Sequence, residues 1–142
     1  RNNIGFIFQN NQLLEDFTCE ENVALPLILN GISYKKSILK AQELLVDLGL
    51  DTRMKIKPSL LSGGEQQRVA VLRALIKRPL IILADEPTGS LDDLNAKNVF
   101  KQIINLSKKQ KTTTITATHN IELLSYFDIC YKIEKGKLIE YK

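Results

Sequence analysis

Asp85 and Glu86 stand side by side at the end of an apolar run, Leu80 to Ala84. Five apolar residues in a row are too few for a helix and suit a buried strand. In open α/β sheets, ligands gather at the carboxyl ends of the strands. One carboxylate placed there can hold Mg²⁺ through water. Its neighbour, pointing another way, can take a proton from an attacking water. A strand that merely ends in a helix-capping Asp would look the same, so this pair does not decide the matter alone.

Leu61-Ser62-Gly63-Gly64-Glu65-Gln66-Gln67-Arg68 carries a second kind of chemistry. With Ser62 as N-cap, two glycines in the first helical turn leave backbone N–H groups unobstructed by any Cβ, at the positive end of the helix dipole. That is an anion site suited to a phosphate. A plain capping box, Ser62 with Glu65, satisfies the same residues. Yet each Gly costs a helix about 1 kcal/mol relative to Ala, and close backbone approach to a ligand would offset that cost. Ser90-Leu91-Asp92, His119 and Gln9 are weaker signals singly. Asp92 can be a cap, His119 a structural hydrogen bonder, and Gln9 a residue after a strand. Together with the stronger pair they stand in one order, each at a strand or helix end.

The elements that must position these groups can be read along the chain. Ile4 to Phe8 reads as a short strand, followed by a polar stretch from Gln9 to Phe17. Thr18 with Glu21 predicts a capping box opening a helix over 19–29, which Pro26 should kink or end and Gly31 stops. Ser33 opens a second helix, with Ile38, Ala41, Leu44, Leu45 and Leu48 at helical spacing and Gly49 as its stop. Residues 51–60 read as a loop. A third helix covers 63–77 and Pro79 ends it. Asp92 caps a long helix to about Lys108, and Thr113 to Thr118 is rich in β-branched residues, as a strand is. His119-Asn120 leads into a short helix. Ile129 to Ile133 and Leu138 to Tyr141 form a hairpin around Lys135-Gly136. A helical block over 19–77 thus precedes strand, helix, strand, helix and hairpin, an α/β pattern with a parallel sheet.

At 142 residues there is room for one ordinary domain. Apolar residues at 44% and charged residues at 25% exclude a disordered tail or a fibre. No apolar run approaches the roughly 18–20 residues of a membrane span. The net charge of +4 permits an anionic ligand or an acidic lipid surface. The basic cluster Lys108-Lys109-Gln110-Lys111 suits a helix C-terminus. Cys19 and Cys130 are far apart, without CxxC partners, which predicts free thiols in a reducing compartment. The chain opens at Arg1, without Met, almost inside a strand, which suggests a cut chain.

Taken as a set, Gln9, Leu61 to Glu65, Leu80 to Asp85, Glu86, Ser90-Leu91-Asp92 and His119 closely resemble the second part of an ABC-type ATPase, the nucleotide-binding subunit of ATP-driven transporters. They match, in turn, the Q-loop glutamine, signature motif, Walker B strand, catalytic glutamate, D-loop and switch histidine. The resemblance covers essentially the whole chain. Glu65 departs from the family's usual Gln. It fits the branch that Asn22-Val23-Ala24-Leu25-Pro26-Leu27 and Ala84 to Asp92 also suggest, which contains the lipoprotein-releasing, macrolide-export and cell-division ATPases. The lipoprotein-releasing type is favoured.

The resemblance implies an α/β fold, a partial P-loop NTPase. A Q-loop and helical signature part would span 9–78, and a Walker B, D-loop and switch part 79–142, within a single truncated domain over 1–142. ATP and Mg²⁺ are the implied cofactors. Ser62, Gly63, Gly64, Glu65 and Asp92 would contact nucleotide, with Ser62 to Gly64 reaching the γ-phosphate of a head-to-tail partner. Asp85 and Gln9 would hold Mg²⁺ and water, Glu86 would be the general base, and His119 would sense the γ-phosphate. Transmembrane permease subunits would be the partners, at the cytoplasmic face of the inner membrane, and no nucleic acid is expected. No GxxxxGK[ST] occurs in these residues, so the 142-residue chain alone is expected to be inactive. A remnant that only binds a partner is the rival reading. A DNA-repair ATPase fits less well, because the segment from Gln9 to Ser62 is short and has no sustained heptads.

Overall fold

A computed structural model describes residues 3–141. The chain runs β1 (Ile4–Ile7), α1 (Cys19–Leu29), α2 (Tyr34–Asp47), α3 (Gly63–Leu75), β2 (Ile81–Asp85), α4 (Asp93–Gln110), β3 (Thr113–Ala117), β4 (Tyr131–Glu134) and β5 (Lys137–Glu140). Single 3₁₀ turns at Asp51–Arg53 and Pro58–Leu60 fill the loop expected over 51–60. The segment after His119 is also 3₁₀, over Ile121–Tyr126, rather than α-helical.

Local chemistry sets most boundaries. Thr18 accepts a hydrogen bond from the Glu21 N–H while Glu21 accepts from the Thr18 N–H, closing the capping box of α1. Ser33 precedes α2 but makes no side-chain cap; Ser37 instead donates to the Ser33 carbonyl (3.1 Å). Asp92 accepts from the Asn95 N–H (3.1 Å) and caps α4. Lys111 ends α4 in the left-handed region at φ 58°, and Lys109 pairs with Asp47 at 3.3 Å. At the β4–β5 turn, Lys135 (φ 48°) and Gly136 (φ 75°) are both left-handed, as a tight hairpin requires.

α1 covers the expected 19–29, and Pro26 does not end it: the helix continues to Leu29. Pro26 removes one N–H, but the turn is held from outside. Val23, Ala24 and Leu27 around it are buried against α2 and α3. The buried Glu20 carboxylate is satisfied by Gln42 of α2 (2.7 Å) and by Lys55.

β1, β2 and β3 form a parallel sheet in that order, with Phe6 beside Leu83 and Leu83 beside Ile115. One continuous core runs from the helical block, through α3, to Ile7, Ile82 and Ala84 on one sheet face and to Val99, Phe100 and Ile103 of α4. α3 comes very close to β1. A Cβ on Gly5 would lie 2.6 Å from the Ala74 carbonyl oxygen and 2.5 Å from Ile82 Cδ1. The opposite face, bearing Ile4, Phe6 and Ile115, is exposed. Within these residues Ile82 and Ala84 of β2 are buried, and Ile81 and Leu83 are half-buried. Both cysteines are free and buried, and burial pushes the Cys19 thiol up to about 11.

Candidate functional site

β2 delivers Asp85 at its last position, paired in register with Ala117 of β3. The Glu86 N–H donates to the Ala117 carbonyl at 2.9 Å, so pairing continues one residue past the strand. Glu86 itself lies in the left-handed region, at φ 43°. For a residue with a Cβ that conformation costs of order 1–3 kcal/mol, and such strain collects at functional sites. It turns the side chain toward the end of β3. There the Glu86 carboxylate accepts three hydrogen bonds: from the His119 N–H (2.8 Å), from Thr118 Oγ1 (3.1 Å), and a contact with His119 Nδ1 (2.7 Å). An ionised carboxylate offers about four lone-pair sites, so one is left for a water. Holding Nδ1 leaves Nε2 of this largely exposed imidazole open.

Gln9 reaches the same turn from the far side of the sequence. A Cβ on Gly89 would lie 3.3 Å from Gln9 Nε2 and 3.3 Å from Glu86 Cβ. The Gly89 N–H donates back to the Glu86 carbonyl (3.0 Å). The missing side chain at Gly89 is what lets Gln9, Glu86 and the 86–89 turn meet. Asp85 is exposed, and its carboxylate has no hydrogen-bond or ion-pair partner among the described residues. No group of three or more His, Cys, Asp or Glu side chains among the described residues could hold a metal ion. Mg²⁺ in nucleotide sites is usually held by one or two protein oxygens, with water and substrate phosphates completing the shell. Asp85 and the Gln9 amide have the right donor chemistry for it.

Ser62, Gly63 and Gly64 start α3, with Ser62 and Gly63 exposed and Gly64 half-buried. Ser62 Oγ accepts from the Glu65 N–H (3.3 Å), and Glu65 accepts from the Ser62 N–H (2.8 Å). The capping box is therefore real, and it also leaves donors over. The Ser62 hydroxyl keeps its own proton to donate, and the Gly63 and Gly64 N–H groups have no acceptor among the described residues. A Cβ on Gly63 would contact Leu91 Cδ2 at 3.4 Å, which places Ser90-Leu91-Asp92 beside this helix start. A Cβ on Gly64 would meet only Arg68 Nη1, at 4.0 Å. Arg68 thus adds a cation one turn behind the first-turn amides.

Two expected nucleotide contacts are occupied otherwise. Both Glu65 oxygens are engaged, one by the Ser62 N–H and one by Arg53 Nε at 3.0 Å. Asp92 accepts from the Asn95 N–H and from Asn95 Nδ2 (2.6 Å), bonds that hold its carboxyl below the usual range. Sequence reasoning gave no role to Thr118, Arg53 or Arg68. Thr118 adjoins His119 and Arg68 follows Gly64 at i+4, both visible signals. Arg53 meets Glu65 only through the fold.

The Ser62 N–H, first, and then Arg53 hold the Glu65 carboxyl below its ordinary 4.5. A depressed folded-state pKa contributes stability above the unfolded value and loses it as pH falls through the folded one. Glu65→Gln should therefore flatten the fall in melting temperature as pH drops below the ordinary 4.5. Calorimetry at several pH values checks this; a profile parallel to wild type contradicts it.

Comparison with known proteins bears on this arrangement. The sequence profile of the ABC transporter family matches residues 1–89. The chain is 47% identical over 135 residues to the lipoprotein-releasing system ATP-binding protein LolD of Rickettsia typhi, covering 95% of this chain and 61% of that protein. It is 44% identical over 140 residues to LolD of Nitrobacter winogradskyi, covering 99% and 60%. Among solved structures, the dimeric ATP-binding cassette MJ0796 in a post-hydrolysis state with ADP and Pi superimposes with a TM-score of 0.83 at 35% identity, over 98% of this chain and 62% of that one. The chain thus spans about three fifths of the length of these relatives. By family profile, by identity over nearly its whole length and by fold, the chain belongs to the ABC transporter ATPase family.

Proposed function

We propose that this chain is part of the ATP-binding and ATP-hydrolysing subunit of an ABC transporter that powers lipoprotein release from the inner membrane through partner permease subunits. The observation that carries the catalytic reading is the meeting of Glu86, His119 and Gln9 at the carboxyl end of β2, where the 86–89 turn is strained. The 47% identity to a lipoprotein-releasing ATP-binding protein supports the choice of transporter. Among the described residues no helix is long and apolar enough to cross a membrane. Attachment at the cytoplasmic face would therefore run through the permease, with the helical part, 9–78, pressed against its loops and 79–142 carrying the catalytic edge.

In this reading Asp85 and Gln9 hold Mg²⁺, which offsets phosphate charge. The fourth lone-pair site of Glu86 takes a proton from the attacking water. His119 keeps the Glu86 carboxylate aimed through Nδ1 and offers Nε2 to the γ-phosphate. Ser62, Gly63 and Gly64 serve the nucleotide of a second, head-to-tail subunit; their free donors and the dimeric form of the similar cassette MJ0796 support this. Hydrolysis needs the GxxxxGK[ST] element, so activity belongs to a longer protein that contains both parts.

Ser62→Ala in that longer protein is the direct test. It should cost about 1 kcal/mol of cap stability and also weaken ATP-driven dimerisation, followed by size-exclusion chromatography with light scattering. A lowered melting temperature with unchanged dimerisation would leave Ser62 as a helix cap only.

A further inference from the structure

Residues 9–17 have neither helix nor strand, yet side chains from the helical block grip this segment at several points. Arg73 of α3 donates from Nη1 to the Gln12 carbonyl (2.8 Å) and from Nη2 to the Asn11 carbonyl (2.8 Å). Asn11 Nδ2 donates to Gln66 Oε1 (3.1 Å), and Gln66 Nε2 donates to the Pro58 carbonyl (3.0 Å). The buried Asn22 accepts from the Leu14 N–H (2.8 Å) and donates to the Leu14 carbonyl (3.0 Å). Gln12 takes the left-handed region, at φ 47°, which a residue with a Cβ adopts rarely.

Arg73 is the unusual member. Its guanidinium is half-buried, and burial lowers its pKa. No carboxylate pairs with it among the described residues; its compensation is two main-chain carbonyls. A planar fork suits two fixed acceptors in a way that a single ammonium does not. The carbonyls it holds lie two and three residues after Gln9. The helix that carries it begins with Ser62 and Gly63. One helix therefore bears both the free amides that would meet a partner's nucleotide and the clamp on the segment that presents Gln9.

We propose that Arg73 is a positioning residue for hydrolysis: by fixing the Asn11 and Gln12 carbonyls to α3, it sets where Gln9 stands over the 86–89 turn. This rests on the reading of Gln9 as the residue that holds Mg²⁺ and water. Arg73 touches no reacting atom and acts only through Gln9.

The experiment is a double-mutant cycle in the full-length protein, combining Arg73→Met with Gln9→Ala. Single-turnover hydrolysis and ATP affinity are measured across a Mg²⁺ titration. Arg73→Met should lower the hydrolysis rate by about tenfold to a hundredfold, the scale of a small misplacement of a reacting group. It should raise the Mg²⁺ needed for half-maximal rate and leave ATP affinity at saturating Mg²⁺ unchanged. Arg73→Lys, which keeps the charge but loses the fork, should recover part of the rate. In the Gln9→Ala background, Arg73→Met should cost almost nothing more, because groups that act as a unit are not additive. Multiplicative losses, or an unchanged rate in Arg73→Met, overturn the proposal. Should Arg73→Met fail to fold, Arg73→Lys is read in the same cycle by the same criteria. If Gln9→Ala alone has no effect, Gln9 and its clamp both fall. Glu86→Gln then shows separately whether the catalytic edge stands.

Discussion

Glu86→Gln in the full-length protein is expected to slow ATP hydrolysis by about 10²–10⁴-fold, roughly 3–5 kcal/mol of barrier, while ATP still binds. The geometry makes this a clean substitution. A Gln at position 86 can keep its oxygen on the His119 N–H and Nδ1, which lie 2.8 and 2.7 Å from Glu86 Oε1. Its amide nitrogen then faces Thr118 Oγ1, which can accept as well as donate. The left-handed turn at residue 86 is unchanged, so the shape survives and only the proton acceptor is lost. Removing a negative charge next to the phosphates should also favour the ATP-bound closed dimer. Asp85→Asn is expected to behave differently. Asp85 has no hydrogen-bond or ion-pair partner to lose among the described residues, and its assigned work is Mg²⁺ binding, so Mg²⁺-dependent ATP affinity should fall. Nucleotide affinity and single-turnover hydrolysis, measured side by side, separate the two. Equal loss of ATP affinity in both variants would show the roles to be wrongly divided.

The largest effect on stability is expected at Phe100. It is fully buried in α4, with ring centroids 5.2 Å from Phe127 and 5.8 Å from Tyr126 in tilted contact. Truncating a buried Phe to Ala costs about 3–5 kcal/mol, from lost transfer energy and the cavity left behind. Aromatic pairs add about 0.5–1.5 kcal/mol beyond area. Phe100→Ala should therefore lower the melting temperature by many degrees, and Phe100→Leu by less. Function should follow, because the 121–127 segment that packs on Phe100 comes directly after His119. Leu138 in β5 makes the control: it is 70% exposed, so Leu138→Ala should stay within about 0.5 kcal/mol. Thermal melting of the three variants checks the order; a Phe100→Ala cost no greater than that of Leu138→Ala would contradict the core assignment.

Much of this protein could be read from residues in a row, because the forces involved act over a few residues. The boxes Thr18–Glu21 and Ser62–Glu65 and the cap at Asp92 are bonds between i and i+3, so residue type and spacing specify them. Lys135-Gly136 states its own turn, since the left-handed backbone it needs is a local preference. The order of Gln9, Ser62 to Glu65, Asp85-Glu86, Ser90 to Asp92 and His119 was enough to point to the family. Tertiary structure alone decided the rest. The packing around Pro26 is one such case: Val23, Ala24 and Leu27 are buried against α2 and α3. Glu86 meets Thr118 and His119, and Gln9 reaches Gly89, because parallel pairing in register brings three strand ends to one edge. Arg73 finds Asn11 and Gln12 across 62 and 61 residues of sequence. Such contacts depend on the path of the chain between them, and that path is set by burying one continuous core, not by any residue's own preference.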